Sequence, residues 1–316
     1  MFDVIDALKL FGGFVYLLVG GELLVRGSLG LARERNLSPV IVGMTIVAMG
    51  TSAPELMVSG YSALSGHPGI AVGNVVGSNI ANVLLVMGVP ALIYPISFAQ
   101  DGLVKQASLM VVMSFILIVM LLFEPITKFE GICLLIILVI FLFLTTRGAA
   151  VMPGLDDPEE ELKKAFGLPS SAGAIILLVL LGIIMLPLGA NLVVDGAAGL
   201  ARGWGVSEAV IGLSLIALGT SLPELSTTVV AAFHRSSEVI IGNVIGSNLF
   251  NILAILGFTA LLTDIPVNPQ FIVFDIWVML GCAILLWLFV WTKATMSRYF
   301  GIALLISYVA YLVVIY

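Results

Sequence analysis

Of the 316 residues, 60% are hydrophobic and 10% charged, and the formal net charge is −6. A soluble domain carries about 25% charged residues, so a water-soluble enzyme is excluded, and 13 Lys and Arg against 19 Asp and Glu exclude a nucleic-acid surface, which needs clustered basic side chains. Lipid is the solvent this composition fits.

Near the N-terminus, Asp3 and Asp6 precede Lys9 and the apolar run continues as a span without a small-residue cleavage site, so no cleaved signal peptide is expected. Stretches able to cross a hydrocarbon core, which takes roughly 20 helical residues, fall at about 10–32, 39–65, 69–96, 103–123 and 129–146. Five more follow at about 172–197, 207–233, 238–262, 270–291 and 297–316. The pattern predicts an all-α integral membrane protein with ten transmembrane helices.

Between the two sets of five, residues 147–170 hold Asp156, Asp157, Glu159, Glu160 and Glu161 beside Pro153, Gly154 and Pro158. This polar segment is read as an acidic linker between residues 1–146 and 171–316, each a five-helix unit. With the N-terminus outside, Arg33, Arg35, Lys105, Arg147, Lys163, Lys164, Arg235, Lys293 and Arg298 fall inside, and only Lys9, Lys128 and Arg202 outside. Basic residues are retained on the cytoplasmic side, so both termini are expected outside a cell membrane and the linker in the cytoplasm.

The two units resemble each other. Residues 43–88 align without a gap on 212–257, a shift of 169, with 18 of 46 positions identical. The match extends weakly upstream, where Gly20, Leu23, Gly27 and Gly30 recur as Gly189, Leu192, Gly196 and Gly199. Five spans is an odd number, so the second copy enters the membrane from the opposite side. Inverted repeats are a plan of secondary transporters, whose interrupted helices build a cation site near the bilayer midplane.

Within the second and seventh spans lie Ala48-Met49-Gly50-Thr51-Ser52-Ala53-Pro54-Glu55 and Ala217-Leu218-Gly219-Thr220-Ser221-Leu222-Pro223-Glu224. Proline lacks an N–H and so frees the carbonyl four residues earlier, here Gly50 and Gly219. Each break then offers backbone carbonyls, two hydroxyls and a carboxylate. Hard cations take such oxygen shells, calcium with six to eight of them, and a motif without His or Cys argues against zinc or copper. Glu55 and Glu224 are intramembrane ionisable groups, a functional signal by default.

The third and eighth spans carry Gly73-Asn74-Val75-Val76-Gly77-Ser78-Asn79-Ile80-Ala81-Asn82 and its copy from Gly242 to Asn251. Ser78 and Asn82 share a helix face, as do Ser247 and Asn251, and both faces can add neutral oxygens. Elsewhere, Glu22 and Arg26 stand four apart on the first span and are read as a local ion pair; their counterparts Asn191 and Asp195 do not repeat it. His67 and His234 fall at span ends, and Asp275 reads as interfacial. Cys133 and Cys282 offer neither metal-ligand spacing nor a disulfide framework.

With G-T-S-x-P-E and G-N-x-x-G-S-N each present twice at one offset, the chain resembles the cation/calcium exchanger superfamily, in its prokaryotic sodium/calcium exchanger branch. The resemblance implies an antiporter with calcium and sodium as transported ions, no resident cofactor and no enzymatic activity. It implies Glu55 and Glu224 as shared carboxylates, Thr51, Ser52, Thr220 and Ser221 as oxygen donors, Ala48 and Ala217 as carbonyl ligands, and Ser78, Asn82, Ser247 and Asn251 as flanking ligands. It also implies alternating access, with the first and sixth spans sliding over the other eight. The family often has aspartate where this chain has Asn251, which leaves two central carboxylates. Related calcium/proton exchangers resemble G-N-x-x-E in the second motif, and Gly77 and Gly246 in that glutamate's place favour sodium over protons. A divalent-cation/proton antiporter and a cation channel are the alternatives.

Overall fold

The structure, a computed structural model, describes residues 4–35, 37–100, 102–123, 125–147, 171–203, 219–266 and 273–315. It is a bundle of apolar helices. The first, α1 (Val4–Glu34), is followed by α2 (Pro39–Val42), a π-helical segment Gly43–Val47, α3 (Ala48–Thr51) and α4 (Ala53–Leu64). After these come α5 (Gly69–Leu84), α6 (Gly88–Ile93), strand β1 (Ile96–Ser97), α7 (Leu103–Leu122) and α8 (Lys128–Arg147). The second half holds α9 (Ala172–Gly203), α10 (Leu222–Phe233), α11 (Ser237–Phe250), a π-helical segment Asn251–Ile255, α12 (Leu256–Leu262), α13 (Asp275–Thr292), strand β2 (Thr295–Met296) and α14 (Arg298–Ile315).

Among the described residues, eight helical runs are long and apolar enough to cross a membrane. A ninth is the bent pair Pro39–Thr51 and Ala53–Leu64, which turns by 42°. Of the seventh predicted span, the described part is the short apolar helix α10; residues 207–218 and the linker 148–170 lie outside the described residues. Phe11, Phe115, Ile132, Ile184 and Val313 project from the outer faces, as expected where the surroundings are apolar. The chain is a multi-pass membrane protein.

Burial is uneven and marks the centre. Residues 239–257 are all buried, while α14 is mostly exposed. Small side chains set how closely some helices approach. Along the seam of α1 with α9, a Cβ at Gly13 would lie 2.6 Å from the Val193 nitrogen, and one at Gly182 would lie 2.8 Å from the Gly20 carbonyl. The two helices therefore touch backbone to backbone along an antiparallel register.

Extended pairings staple the ends, a departure from the purely helical expectation. Ile96 pairs with Met296 and Ser97 with Thr295, antiparallel, and Ile126 bridges Ile265 through bonds of 3.0 and 2.9 Å. Shifting Ile96 by 169 gives Ile265, and shifting Ile126 gives Thr295, so the two staples sit at repeat-related positions.

Candidate cation site

The site begins where two helices stop and restart. α3 ends at Thr51, and Ser52 (φ −82°, ψ 4°) turns the chain into α4; Ser221 (φ −87°, ψ 0°) does the same before α10. The interruption expected beside Pro54 is present, as the end of one helix and the start of another. Pro54 sits in the first turn of the new helix α4, a position that costs no hydrogen bond because those N–H groups have no intrahelical acceptor. Pro223 does likewise in α10.

This geometry places Glu55 and Glu224 in first turns, where unpaired N–H groups and the helix dipole favour negative charge. Both are 1% exposed, and their carboxyl groups are close enough to repel one another. The Ser52 hydroxyl donates to Glu224 Oε1 at 3.1 Å, linking the halves, and Thr51 and Ser247 also stand against that carboxylate. The second oxygens, Glu55 Oε2 and Glu224 Oε2, are buried without a hydrogen-bond partner. An unsatisfied buried acceptor costs about 1–3 kcal/mol, more when charged.

The backbone of each acid is tied down. Asn74 donates to the Glu55 carbonyl at 3.2 Å and to Ser59 Oγ at 3.0 Å. Thr227 and Thr228 donate to the Glu224 carbonyl, both at 2.9 Å, and Asn243 donates to Thr227 Oγ1 at 3.1 Å. Asn243 Oδ1 in turn lies 3.3 Å from the Thr51 hydroxyl and 3.4 Å from that of Ser247.

The predicted ligands Glu55, Glu224, Thr51, Ser52 and Ser247 are thus brought together. Ser221 Oγ, Asn82 Oδ1 and Asn251 Oδ1 are buried and unpartnered. Ser78 and Thr220 are buried nearby in sequence, whereas Ala217 lies outside the described residues. The Ala48 carbonyl accepts from the Ser52 N–H at 2.9 Å and from the Thr51 hydroxyl at 3.3 Å. Asn251 opens a π-helical segment, a feature frequent at functional sites.

Sequence reasoning overlooked Asn79 and Asn248. They donate or accept across the halves: Asn82 Nδ2 to Asn248 Oδ1 at 3.0 Å, Asn251 Nδ2 to Asn79 Oδ1 at 3.0 Å, and Asn79 Nδ2 to the Asn248 carbonyl at 3.3 Å. Their exact recurrence within G-N-x-x-G-S-N was the available signal. The Glu22–Arg26 pair forms as expected at 2.5 Å, and His234, whose partner was not foreseen, lies 2.8 Å from Glu22 Oε2. Asp275 accepts from the Tyr311 hydroxyl at 2.8 Å.

The family model described as sodium/calcium exchanger protein matches residues 7–147 and 174–316. The chain belongs to the sodium/calcium exchanger family. The family is one of transporters, and its members and relatives support antiport of the sodium/calcium exchange type. Similar proteins include the putative antiporter CaxA of Alkalimonas amylolytica, 34% identical over 95% of each chain. The sodium/calcium exchanger MaX1 of Methanosarcina acetivorans is 32% identical over 99% of each chain. Among solved structures, the sodium-calcium exchanger NCX_Mj superposes with a TM-score of 0.84 at 31% identity, covering 99% of each chain. Among the described residues, every buried side-chain nitrogen or oxygen left without a partner is an oxygen, those of Glu55, Glu224, Ser221, Asn82 and Asn251 included.

Proposed function

We propose that this chain exchanges calcium for sodium across a cell membrane by alternating access. The observation that carries the reading is the pair of buried carboxylates, one from each half, with oxygens left unpartnered beside those of Ser221, Asn82 and Asn251. Calcium favours such all-oxygen shells, and several sodium ions can balance the same two charges. The doubly charged site without an ion is costly in low dielectric, so ion-loaded forms cross between the two access states more readily than the ion-free one. That asymmetry makes exchange obligatory.

In this proposal Glu55 and Glu224 are shared by both ions. Thr51, Ser52, Thr220, Ser221, Ser78, Ser247, Asn82 and Asn251 contribute oxygens, with the Ala48 and Ala217 carbonyls. The ten spans form two inverted five-helix repeats, residues 1–146 and 171–316, with both termini outside and the linker 147–170 in the cytoplasm. The staples exchanged by the 169-residue shift support the repeat.

The test is calcium uptake into proteoliposomes holding the purified protein. A sodium gradient at clamped pH is expected to drive uptake, and calcium flux driven solely by a pH gradient would establish the proton antiporter instead. Flux without any counter-ion would establish a channel. Glu55→Gln and Glu224→Gln are each expected to lower exchange by roughly a hundredfold or more, since removing one member of a buried charged set costs about 3–5 kcal/mol. Wild-type flux in either variant would remove the assignment.

A further inference from the structure

We infer that two buried chains of side chains, Met110–Asn248–Asn82 and Met279–Asn79–Asn251, set the polarity of the amides that face the cation, making Asn79 and Asn248 positioning residues for ion binding. The inference rests on the cation-binding reading above and adds what decides whether an amide presents oxygen or NH2 to the ion.

An asparagine amide has an acceptor end and a donor end of nearly equal size, and only the acceptor end suits a cation. In the first chain, Asn248 Nδ2 points at the Met110 sulfur, 3.6 Å away, and Asn248 Oδ1 accepts from Asn82 Nδ2 at 3.0 Å. Asn82 Oδ1 is left buried and unpartnered. In the second, Asn79 Nδ2 stands 3.9 Å from the Met279 sulfur and donates to the Asn248 carbonyl at 3.3 Å, two acceptors on the same end, and Asn79 Oδ1 accepts from Asn251 Nδ2 at 3.0 Å, leaving Asn251 Oδ1 unpartnered. Met110 and Met279 are related by the same shift of 169 as the asparagines.

A thioether sulfur is a weak acceptor with no proton to donate. It can receive the NH2 end of the adjacent amide but has nothing to offer the oxygen end, so it orients that amide. The oriented amide then accepts from the next, whose oxygen must point the other way. Flipping Asn82 would bring its oxygen against Asn248 Oδ1 and turn NH2 toward the site. Ser247, four residues before Asn251 on the same helix face, stands against Glu224, which puts the Asn251 oxygen on the helix face that meets the carboxylates. By the repeat, Ser78 and Asn82 present the corresponding face of α5.

The experiment measures calcium concentration at half-maximal exchange and maximal rate in proteoliposomes. Asn79→Leu and Asn248→Leu remove the acceptor and are expected to raise the half-maximal concentration about tenfold, the effect of losing one hydrogen bond that orients a ligand, with maximal rate nearly unchanged. Asn79→Asp and Asn248→Asp keep an acceptor and are expected to restore binding to within about threefold of the natural protein. Met110→Leu and Met279→Leu conserve volume and are expected to raise the half-maximal concentration about threefold, in proportion to a weaker sulfur contact. Natural affinity in both Leu-for-Asn variants, Asp variants as impaired as the Leu variants, or, where the Leu-for-Asn variants do not fold, natural affinity in the Met variants would each overturn the inference. Retained exchange in Glu55→Gln would instead overturn the underlying site, independently of these results.

Discussion

Two helix crossings related by the 169-residue shift are not alike in this molecule. At one, α1 lies along α10: a Cβ at Gly21 would sit 3.0 Å from Ser226 Oγ, the Ser226 hydroxyl donates to the Leu17 carbonyl at 2.5 Å, and His234 reaches Glu22. At the other, α9 makes little contact with α4. Ser226 and Val230 of α10 are 7% and 5% exposed, while their counterparts Met57 and Tyr61 of α4 are 72% and 75% exposed. Similar sequences thus hold one crossing sealed and the other open. Under the alternating-access proposal each crossing can take the other's form, and the present state is the one sealed along α1 and α10.

The largest effect is expected from locking this difference. A disulfide needs closely set Cβ atoms, and a Cβ at Gly21 would lie 3.0 Å from Ser226 Oγ, where the sulfur of a Cys at 226 would stand, so Gly21→Cys is paired with Ser226→Cys. Oxidising that pair should lower exchange at least about tenfold, because a state held covalently cannot interconvert, and reductant should restore it. The repeat-related pair, Ala190→Cys with Met57→Cys, should cross-link only during turnover with both ions present. Equal cross-linking of both pairs in resting protein would break the comparison.

Sequence carried the membrane class, most span positions and the burial of Glu55 and Glu224, because long apolar runs and exact recurrence are strong signals. It located the break beside Pro54 but not that the proline opens a new helix, since a mid-span proline reads equally as a kink or as a first turn, and only the stop at Thr51 decides. Asn79 and Asn248 were passed over because their partners lie in the opposite half of the chain. The two-residue strands β1 and β2 are too short to show alternation. The unequal crossings were illegible for a deeper reason: the site motifs recur in both halves, and the contacts that tell the crossings apart join segments more than 200 residues apart in the chain.

What the halves share should respond evenly. The α1–α9 seam is built from both copies, and Gly13 and Gly182 are related by the shift. A methyl at either meets backbone, so Gly13→Ala and Gly182→Ala are each expected to cost about 1–3 kcal/mol by overpacking, read as lowered thermal stability of the solubilised protein. Gly12 has nothing within 4 Å of its would-be Cβ, so Gly12→Ala should leave stability unchanged. Unequal costs at the two seam positions would show that the seam also differs between halves.

The smallest expected effect tests what favours one crossing over the other. Glu22, Arg26 and His234 join α1 to the end of α10, but the related positions hold Asn191, Asp195 and Ser65, so the opposite state lacks this polar contact. Glu22 and His234 are partly exposed, at 31% and 18%, and pairs of that kind contribute up to about 1 kcal/mol. Glu22→Gln or His234→Gln should therefore raise the share of the opposite state by about threefold and lower, by a similar factor, the calcium needed for half-maximal exchange from the side now sealed. The double variant should add nothing beyond either single one. Installing the contact in the other half, with Asn191→Glu, Asp195→Arg and Ser65→His, should move the same constant the opposite way. A shift in the same direction would mean that the contact merely holds α1 in place and does not choose between states.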